Sequence, residues 1–110
     1  MSYNEALAAR VRGLLAKRPG ITEKKMFGGV GFLLNGNMCC GVHGEELIVR
    51  LAPENTESAL AEPHTRIFDL SGRPMKNGWI LVQPPGLKDD KALSRWVRVG
   101  AEFASTLPKK

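Results

Sequence analysis

The sequence predicts an α+β fold with two layers: a mostly antiparallel sheet and flanking helices, in the order α-β-β-β-α-β-β-α. Three observations support it. Apolar residues recur at helical spacing near both ends, short apolar runs alternate through the middle, and Asn35-Gly36 separates two of those runs. Asn-Gly is the strongest short signal for a hairpin, because both turn positions need a positive φ.

Length and composition bound the class of protein. The chain has 110 residues, the size of one ordinary domain, so we expect a single domain over residues 1–110. Hydrophobic residues make up 43% and charged residues 25%, a globular balance. No apolar run approaches the ~20 residues that cross a bilayer, and the first residues carry no signal core. We therefore predict a cytoplasmic protein with reduced thiols and no membrane contact.

Three helices are predicted. The first runs from about Tyr3 to Lys17, with Ser2 and Glu5 at the spacing of a capping box. Its apolar stripe consists of Tyr3, Leu7, Val11, Leu14 and Leu15. A short helix covers roughly Glu54 to Ala61, and the last begins at Asp89-Asp90. The stripe of the last helix consists of Leu93, Trp96, Val97, Gly100, Ala104 and Leu107.

The strands are predicted between these helices. Three consecutive antiparallel strands are Val30 to Leu34, Met38 to Val42 and the stretch EELIVRL, in which Leu47, Val49 and Leu51 alternate with Glu46, Ile48 and Arg50. Ile21 to Phe27 is a candidate fourth strand before them. Two more strands are Arg66 to Leu70 and Trp79 to Gln83, and the second is apolar on both faces, as in a central strand. A turn-rich basic loop, Ser71 to Gly78, lies between those two.

The hairpin register assigns side chains to faces. With a two-residue loop, Leu33 pairs with Met38 and Phe32 with Cys39. One face then carries Leu33, Met38, Cys40 and Val42, and the other carries Val30, Phe32 and Leu34. Both faces are apolar and need covering. We expect helices on one face, and a remaining helix or a second protomer on the other.

The stretch MFGGVGFLLNGNMCCGV, Met26 to Val42, raises three functional alternatives. Its glycines lead into a strand rather than a helix, which argues against a phosphate loop. Cys39 and Cys40 would point to opposite faces of a strand, and Cys39 and His43 would share a face about 13 Å apart, which argues against a metal site. A redox role is the third alternative: we expect a half-exposed Cys39, the candidate redox residue.

Catalytic patterns are missing from the sequence. Neither G-x-S-x-G nor H-E-x-x-H occurs, and the paired acids Glu45-Glu46 and Asp89-Asp90 are explained by a turn and a helix start. We therefore predict that the protein is not an enzyme, with no catalytic residues, no metal ligands and no cofactor.

The charge is basic, with a net value of +5 from 16 Lys and Arg against 11 Asp and Glu. Such a surplus attracts polyanions without establishing nucleic-acid binding. The candidate contacts for a partner or nucleic acid are Lys24, Lys25, Arg73 and Lys76. Trp79, Trp96 and Phe103 are predicted core residues, which leaves few aromatic side chains for base stacking.

KKMFGGVGFLLNGNMCCGV, followed by ELIVRL, GRPMKNGWILV and FASTLP, resembles the N-terminal domain of TfoX/Sxy proteins over nearly the whole chain. The most specific part is M-F-G-G-x-G, Met26 to Gly31; Gly72 to Val82 resembles a branch of short, stand-alone members. The resemblance implies a two-layer domain similar to secretion chaperones, without recognised catalytic residues. Named members regulate natural competence together with a transcription activator of the cyclic-AMP-receptor type. They carry a second, C-terminal domain, so we expect the domain assignment, rather than the full role, to carry over.

Three function classes follow. The first is a non-enzymatic regulatory or protein-binding module whose partner is another protein, such as a transcription regulator, or a second copy of the chain. The alternative is direct, non-specific nucleic-acid binding through a basic surface. A cysteine-based enzyme or redox protein is the third and least favoured class.

Overall fold

The computed structural model describes residues 3–26, 28–69 and 75–109, with side chains in the last range from Asn77 onward. The helices in these ranges are α1 (Glu5–Leu15), α2 (Thr56–Leu60) and α3 (Asp90–Ser105). The strands are β1 (Ile21–Met26), β2 (Gly29–Leu34), β3 (Asn37–His43), β4 (Glu46–Arg50), β5 (Thr65–Phe68) and β6 (Met75–Val82). They form one antiparallel sheet in the order β1-β2-β3-β4-β6-β5.

The predicted α+β class is confirmed, and so is the candidate strand before the hairpin. That strand is β1, so four strands rather than three precede α2. The predicted end of this strand at Phe27 lies outside the described residues. No helix in the described ranges is long and apolar enough to span a bilayer.

The start of α1 differs from the predicted capping box. Asn4 is the N-cap, and its side-chain oxygen accepts a 3.0 Å hydrogen bond from the backbone N–H of Leu7. The backbone N–H of Asn4 also donates to the carbonyl of Gly44, which holds the chain extended at this point. The helix therefore begins at Glu5, two residues after the predicted start at Tyr3. The prediction of Ser2 as the N-cap is wrong, because Asn4 has that role. Leu14 was placed on the apolar stripe, yet it is 41% exposed.

A β-bulge in the predicted hairpin changes which side chains share a face. The turn and the Leu33–Met38 pair are as predicted, but Phe32 pairs with Cys40 rather than with Cys39. Cys39 is the extra residue of β3, so from Cys40 onward the strand is shifted by one position. Cys40 and Val42 therefore lie on the same face as Phe32, and the predicted face assignment of these two residues is wrong.

All three helices contribute to a cluster on one side of the sheet, which we call the helix face. Its strand residues include Val30, Phe32, Val42, Leu47, Val49, Ile80 and Val82. The predicted stripe of α3 is confirmed from Leu93 to Ala104. At Gly100 the helix approaches so closely that a Cβ atom would lie 2.2 Å from the carbonyl oxygen of Cys39. This contact places α3 directly over the bulge.

The other side of the sheet has its own apolar cluster, formed by Ile48, Phe68 and Leu81 with Met38 and Trp79 packed against it. All five residues lie on strands, so we call this side the helix-free face; the name refers to the helices that the structure describes. The prediction that both faces are apolar is confirmed. In β6, Ile80, Leu81 and Val82 are fully buried, as predicted for a central strand.

The predicted loop from Ser71 to Gly78 is partly wrong. β6 already begins at Met75, which pairs with Phe68 of β5, while residues 71–74 lie outside the described ranges. Asn77 and Gly78 lie within β6 but pair with neither neighbouring strand: the register with β5 shifts between Phe68–Met75 and Ile67–Ile80, and Gly78 has a positive φ of 88°.

Candidate functional site

Lys24 and Lys25 lie on β1, an edge strand, and both are exposed. Lys24 pairs with Gly31 and Lys25 with Val30, so the two side chains point to opposite faces of the sheet. Lys24 belongs to the helix-free face and Lys25 to the helix face, the side that carries Val30. The two adjacent lysines therefore do not form one basic patch.

The other two candidate contacts lie elsewhere. Arg73 is outside the described residues, and for Lys76 the structure describes only the backbone, in β6. In the sheet order, β6 is four positions from β1, a separation of roughly 19 Å at the usual strand spacing. Lys24 and Lys76 therefore cannot hold one phosphate together, and their role as partner contacts stays a prediction.

The two cysteines lie together on the helix face. Their Sγ atoms are 3.9 Å apart, and Cys39 donates a 3.3 Å hydrogen bond from its thiol to the carbonyl of Phe32. Both residues are fully buried, so the expected half-exposed Cys39 is wrong. The expected placement on opposite faces is wrong too, because the bulge turns both side chains inward.

The two thiols differ in acidity. A hydrogen bond from Cys40 lowers the pKa of the Cys39 thiol, because it stabilises the thiolate. The same hydrogen bond and burial raise the pKa of Cys40 well above its ordinary value. Cys39 is therefore the more nucleophilic sulfur of the pair, although burial keeps reagents from it. A redox role for Cys39 stays a prediction.

The expectation that His43 shares a face with Cys39 is wrong. His43 pairs with Glu46 and, after the bulge, lies on the helix-free face, away from both thiols. Within the described ranges no three side chains of His, Cys, Asp or Glu are grouped as metal ligands.

Arg50, a residue that the sequence did not single out, lies between two aromatic rings. It is the last residue of β4, and its guanidinium carbon is 5.2 Å from the ring centroid of Trp79 and 5.6 Å from that of Phe103. Its Nη1 donates a long, 3.4 Å hydrogen bond to the carbonyl of Met38. Trp79 and Phe103 are half-buried rather than core residues, whereas Trp96 is buried as predicted.

Arg50 has no carboxylate partner in the described structure. All 11 acidic side chains of the chain belong to described residues, and none forms an ion pair with Arg50. Four other arginines do pair with carboxylates: Arg10, Arg12, Arg66 and Arg95. Arg18 and Arg98 form no ion pair with a described residue either, but neither stacks on two rings. In the alternation of β4, Arg50 shares a strand face with Glu46 and Ile48, and only the β4–β6 register brings it to Trp79.

An ion pair lies near the β5 edge of the helix-free face. Arg66 of β5 reaches across β6 to Glu46 of β4, with Nε–Oε2 and Nη2–Oε1 distances of 2.7 and 2.8 Å. The Glu46 carboxylate raises the pKa of the Arg66 guanidinium. Arg66 stands opposite Leu81, so this bidentate pair helps to close the apolar cluster beneath it.

These features define a small α+β domain with an apolar sheet face and with an arginine, Arg50, that has no carboxylate partner among the described residues. The chain belongs to the TfoX N-terminal domain family, whose model matches residues 13–104. That family is regulatory in type rather than a family of enzymes. Comparison with curated proteins and with solved structures finds no match, so the similarity to secretion chaperones stays a prediction.

Proposed function

We propose that this protein is a single-domain, cytoplasmic regulatory module that acts, without catalysis or a cofactor, by binding another protein through its helix-free face. The partner class is a transcription regulator, in keeping with the competence-related family. The observation that carries the proposal is a set of half-buried apolar side chains on that face, Met26, Leu33, Met38 and Trp79, which all lie on strands of the described structure.

Two glycines lie at the centre of the helix-free face. Gly31 and Gly41 lie opposite each other on β2 and β3 and leave the sheet surface without side chains at this point. The space is filled from both sides, since a Cβ atom at Gly31 would lie 2.9 Å from Met26 Cε and one at Gly41 would lie 2.9 Å from Met38 Cε. Methionine side chains are flexible and adapt to different partners.

The apolar residues around the two glycines remain partly accessible. Met26, Leu33, Met38 and Trp79 are all half-buried, and they run across four strands of the sheet. Contiguous apolar surface of this kind marks sites of protein interaction. An aromatic residue and methionines are also the residue types enriched in the buried centres of interfaces.

The test uses a purified activator of the cyclic-AMP-receptor type and a fluorescently labelled duplex containing its site. Anisotropy is recorded at a salt concentration of about 0.15 M, with and without this protein. We expect the protein to shift the activator's DNA affinity by about threefold or more, and to leave the duplex unchanged when the activator is absent.

Two matched variants locate the surface. Met38→Gln replaces the apolar side chain over Gly41 by a polar one, whereas Leu14→Gln makes the same kind of change at an exposed position of α1 on the helix side. We expect only Met38→Gln to weaken the effect. Salt-sensitive binding of the protein to DNA alone would instead support the nucleic-acid alternative. No effect on the activator at any concentration would refute the regulatory proposal for this partner class.

A further inference from the structure

We infer that the helix-free face, together with the end of β4 beside it, recognises an acidic, apolar segment of its protein partner, with one carboxylate of that segment bound by Arg50 where Trp79 of β6 meets Phe103 of α3. This inference rests on the proposed function, because it names the chemistry of the partner that the face would bind.

The first step is the unbalanced charge of Arg50. A half-buried guanidinium loses part of its hydration, and a carboxylate partner usually compensates for that loss. The described structure supplies no such partner, although it contains every acidic side chain of the chain. The counter-ion is therefore none of the acidic side chains of this chain, and our inference assigns it to another molecule.

The second step is the orientation of Arg50. The rings of Trp79 and Phe103 hold the guanidinium from two sides, which restricts its rotamers and stabilises its charge. One N–H group reaches the carbonyl of Met38, and a guanidinium has five N–H donors in one plane. The remaining donors suit a carboxylate, whose two oxygens match the planar fork of arginine.

The third step is the apolar path that begins beside Arg50. Met38 supplies the carbonyl that Arg50 contacts, and its strand neighbour Leu33 continues the apolar surface toward Met26 on β1. At the far end Lys24, on the same face, is exposed and forms no ion pair with a described residue. Two cations thus flank a strip of methionine and leucine.

The separation of the two cations sets the length of the segment. Arg50 and Lys24 lie three strand spacings apart across the sheet and two residues apart along it, a distance of roughly 16 Å. A helix of about ten residues or an extended chain of about five residues spans that distance. The fitting segment has acidic residues at both ends and apolar residues between them.

The same arrangement disfavours nucleic acid on this face. A nucleic-acid site brings several cations along one phosphate path. Here the surface between Arg50 and Lys24 is apolar, Lys25 points to the opposite face, and Lys88 and Lys91 belong to the turn and helix on the other side.

The test uses three labelled probes. The first is a peptide of about ten residues with Asp and Glu at both ends and Leu, Phe and Met between them. The second replaces every acid by its amide, and the third is an oligothymidylate of about ten nucleotides. Anisotropy titrations compare the unmodified protein with Arg50→Gln, Arg50→Lys and Lys91→Gln. Lys91 is an exposed cation of α3 without an ion pair in the described structure, so it controls for net charge.

We expect the acidic peptide to bind at least about tenfold more tightly than its amide twin. Arg50→Gln should remove most of that difference, and Arg50→Lys should weaken acidic-peptide binding about threefold because lysine lacks the planar fork. Lys91→Gln should bind the acidic peptide with an affinity within about twofold of that of the unmodified protein. A far-ultraviolet circular dichroism spectrum of each protein variant checks that it is folded. If Arg50→Gln does not fold, the inference is decided by Arg50→Lys and by the comparison of the acidic peptide with its amide twin.

Equal binding of the acidic and amide peptides would overturn the inference, and so would equal losses in Arg50→Gln and Lys91→Gln. Arg50-dependent binding of the oligothymidylate without peptide binding would overturn it in favour of nucleic acid. If the peptide fails but the activator experiment succeeds, the proposed function stands without this mode of recognition. If the peptide binds but the activator does not respond, the site stands and the partner class is wrong.

Discussion

The Sγ atoms of Cys39 and Cys40 lie 3.9 Å apart although the residues are neighbours in a strand, because the bulge turns both thiols into the core beneath α3. Adjacent residues of a regular strand point to opposite faces. The contact makes the acidity of each thiol depend on the other, with opposite signs.

Removing either thiol should therefore shift the pKa of the other thiol in a defined direction. In Cys40→Ala, Cys39 loses the donor that stabilises its thiolate, so its pKa rises. In Cys39→Ala, Cys40 loses the neighbour that raises its pKa, so its pKa falls. The ultraviolet absorbance of the thiolate, recorded against pH in each folded variant, measures both pKa values without a reagent that must enter the core. Shifts in the same direction would contradict the shared hydrogen bond.

Gly100 should tolerate no side chain. The added methyl of Gly100→Ala would overlap the carbonyl oxygen of Cys39, which belongs to the backbone and cannot turn aside. We expect a loss of about 1–3 kcal/mol in the free energy of unfolding, measured by denaturant titration. The control is Gly13→Ala in α1, where no atom lies within 4 Å of the new Cβ. That variant should gain about 0.5–1 kcal/mol, and equal effects at both glycines would disprove the close approach of α3.

Thr56 should be needed for its hydroxyl rather than its shape. It is buried, accepts a 2.8 Å hydrogen bond from the backbone N–H of Gly78 and donates one to the carbonyl of Ala52. Thr56→Val keeps the volume but leaves the Gly78 N–H without an acceptor, which should cost about 1–3 kcal/mol in unfolding free energy. Thr22→Val, at an exposed position of β1, should stay within about 0.5 kcal/mol. Thermal or urea unfolding of both variants checks this.

The ion pair between Arg12 and Glu23 should make a small, pH-dependent contribution to stability. The Arg12 hydrogen bond lowers the pKa of the Glu23 carboxyl, so the pair stabilises the fold above the ordinary glutamate pKa. That stability is lost as the pH falls through the lowered value. Because Glu23 is partly exposed, we expect less than about 1 kcal/mol.

Urea unfolding of the unmodified protein and of Glu23→Gln, from neutral pH to below the glutamate range, measures the contribution. The two stabilities should differ at neutral pH and converge in acid. A difference that grows as the pH falls would show that the ion pair does not have this sign.

The sequence predicted most of the fold because its signals are local. Asn35-Gly36 marks the turn, and in the structure both residues have positive φ angles, of 52° and 85°. The apolar stripe of α3 and the apolar run of β6 each predict which residues are buried, and the structure buries most of them. The bulge has no such signal, because its position depends on how β2 and β3 align with β4. One inserted residue was enough to move Cys40 and Val42 to the other face.

The candidate site was less predictable because it depends on pairs that are distant in sequence. Arg50 meets Trp79 through the register of β4 and β6, and it meets Phe103 through the packing of α3. Lys24 and Lys25 were grouped because they are adjacent, yet adjacency on a strand separates side chains. The contacts of Arg50 therefore required the order and register of the strands, whereas the separation of the two lysines follows from strand alternation alone.

The packing of α3 over the bulge also has a consequence for biosynthesis. α3 follows every described strand along the chain, so on the ribosome the strand with its two thiols is made before the helix that covers it. Until α3 emerges and packs, Cys39 and Cys40 are open to cellular oxidants and electrophiles. Damage to these thiols should therefore record the conditions at the moment of translation, because the finished protein shields them.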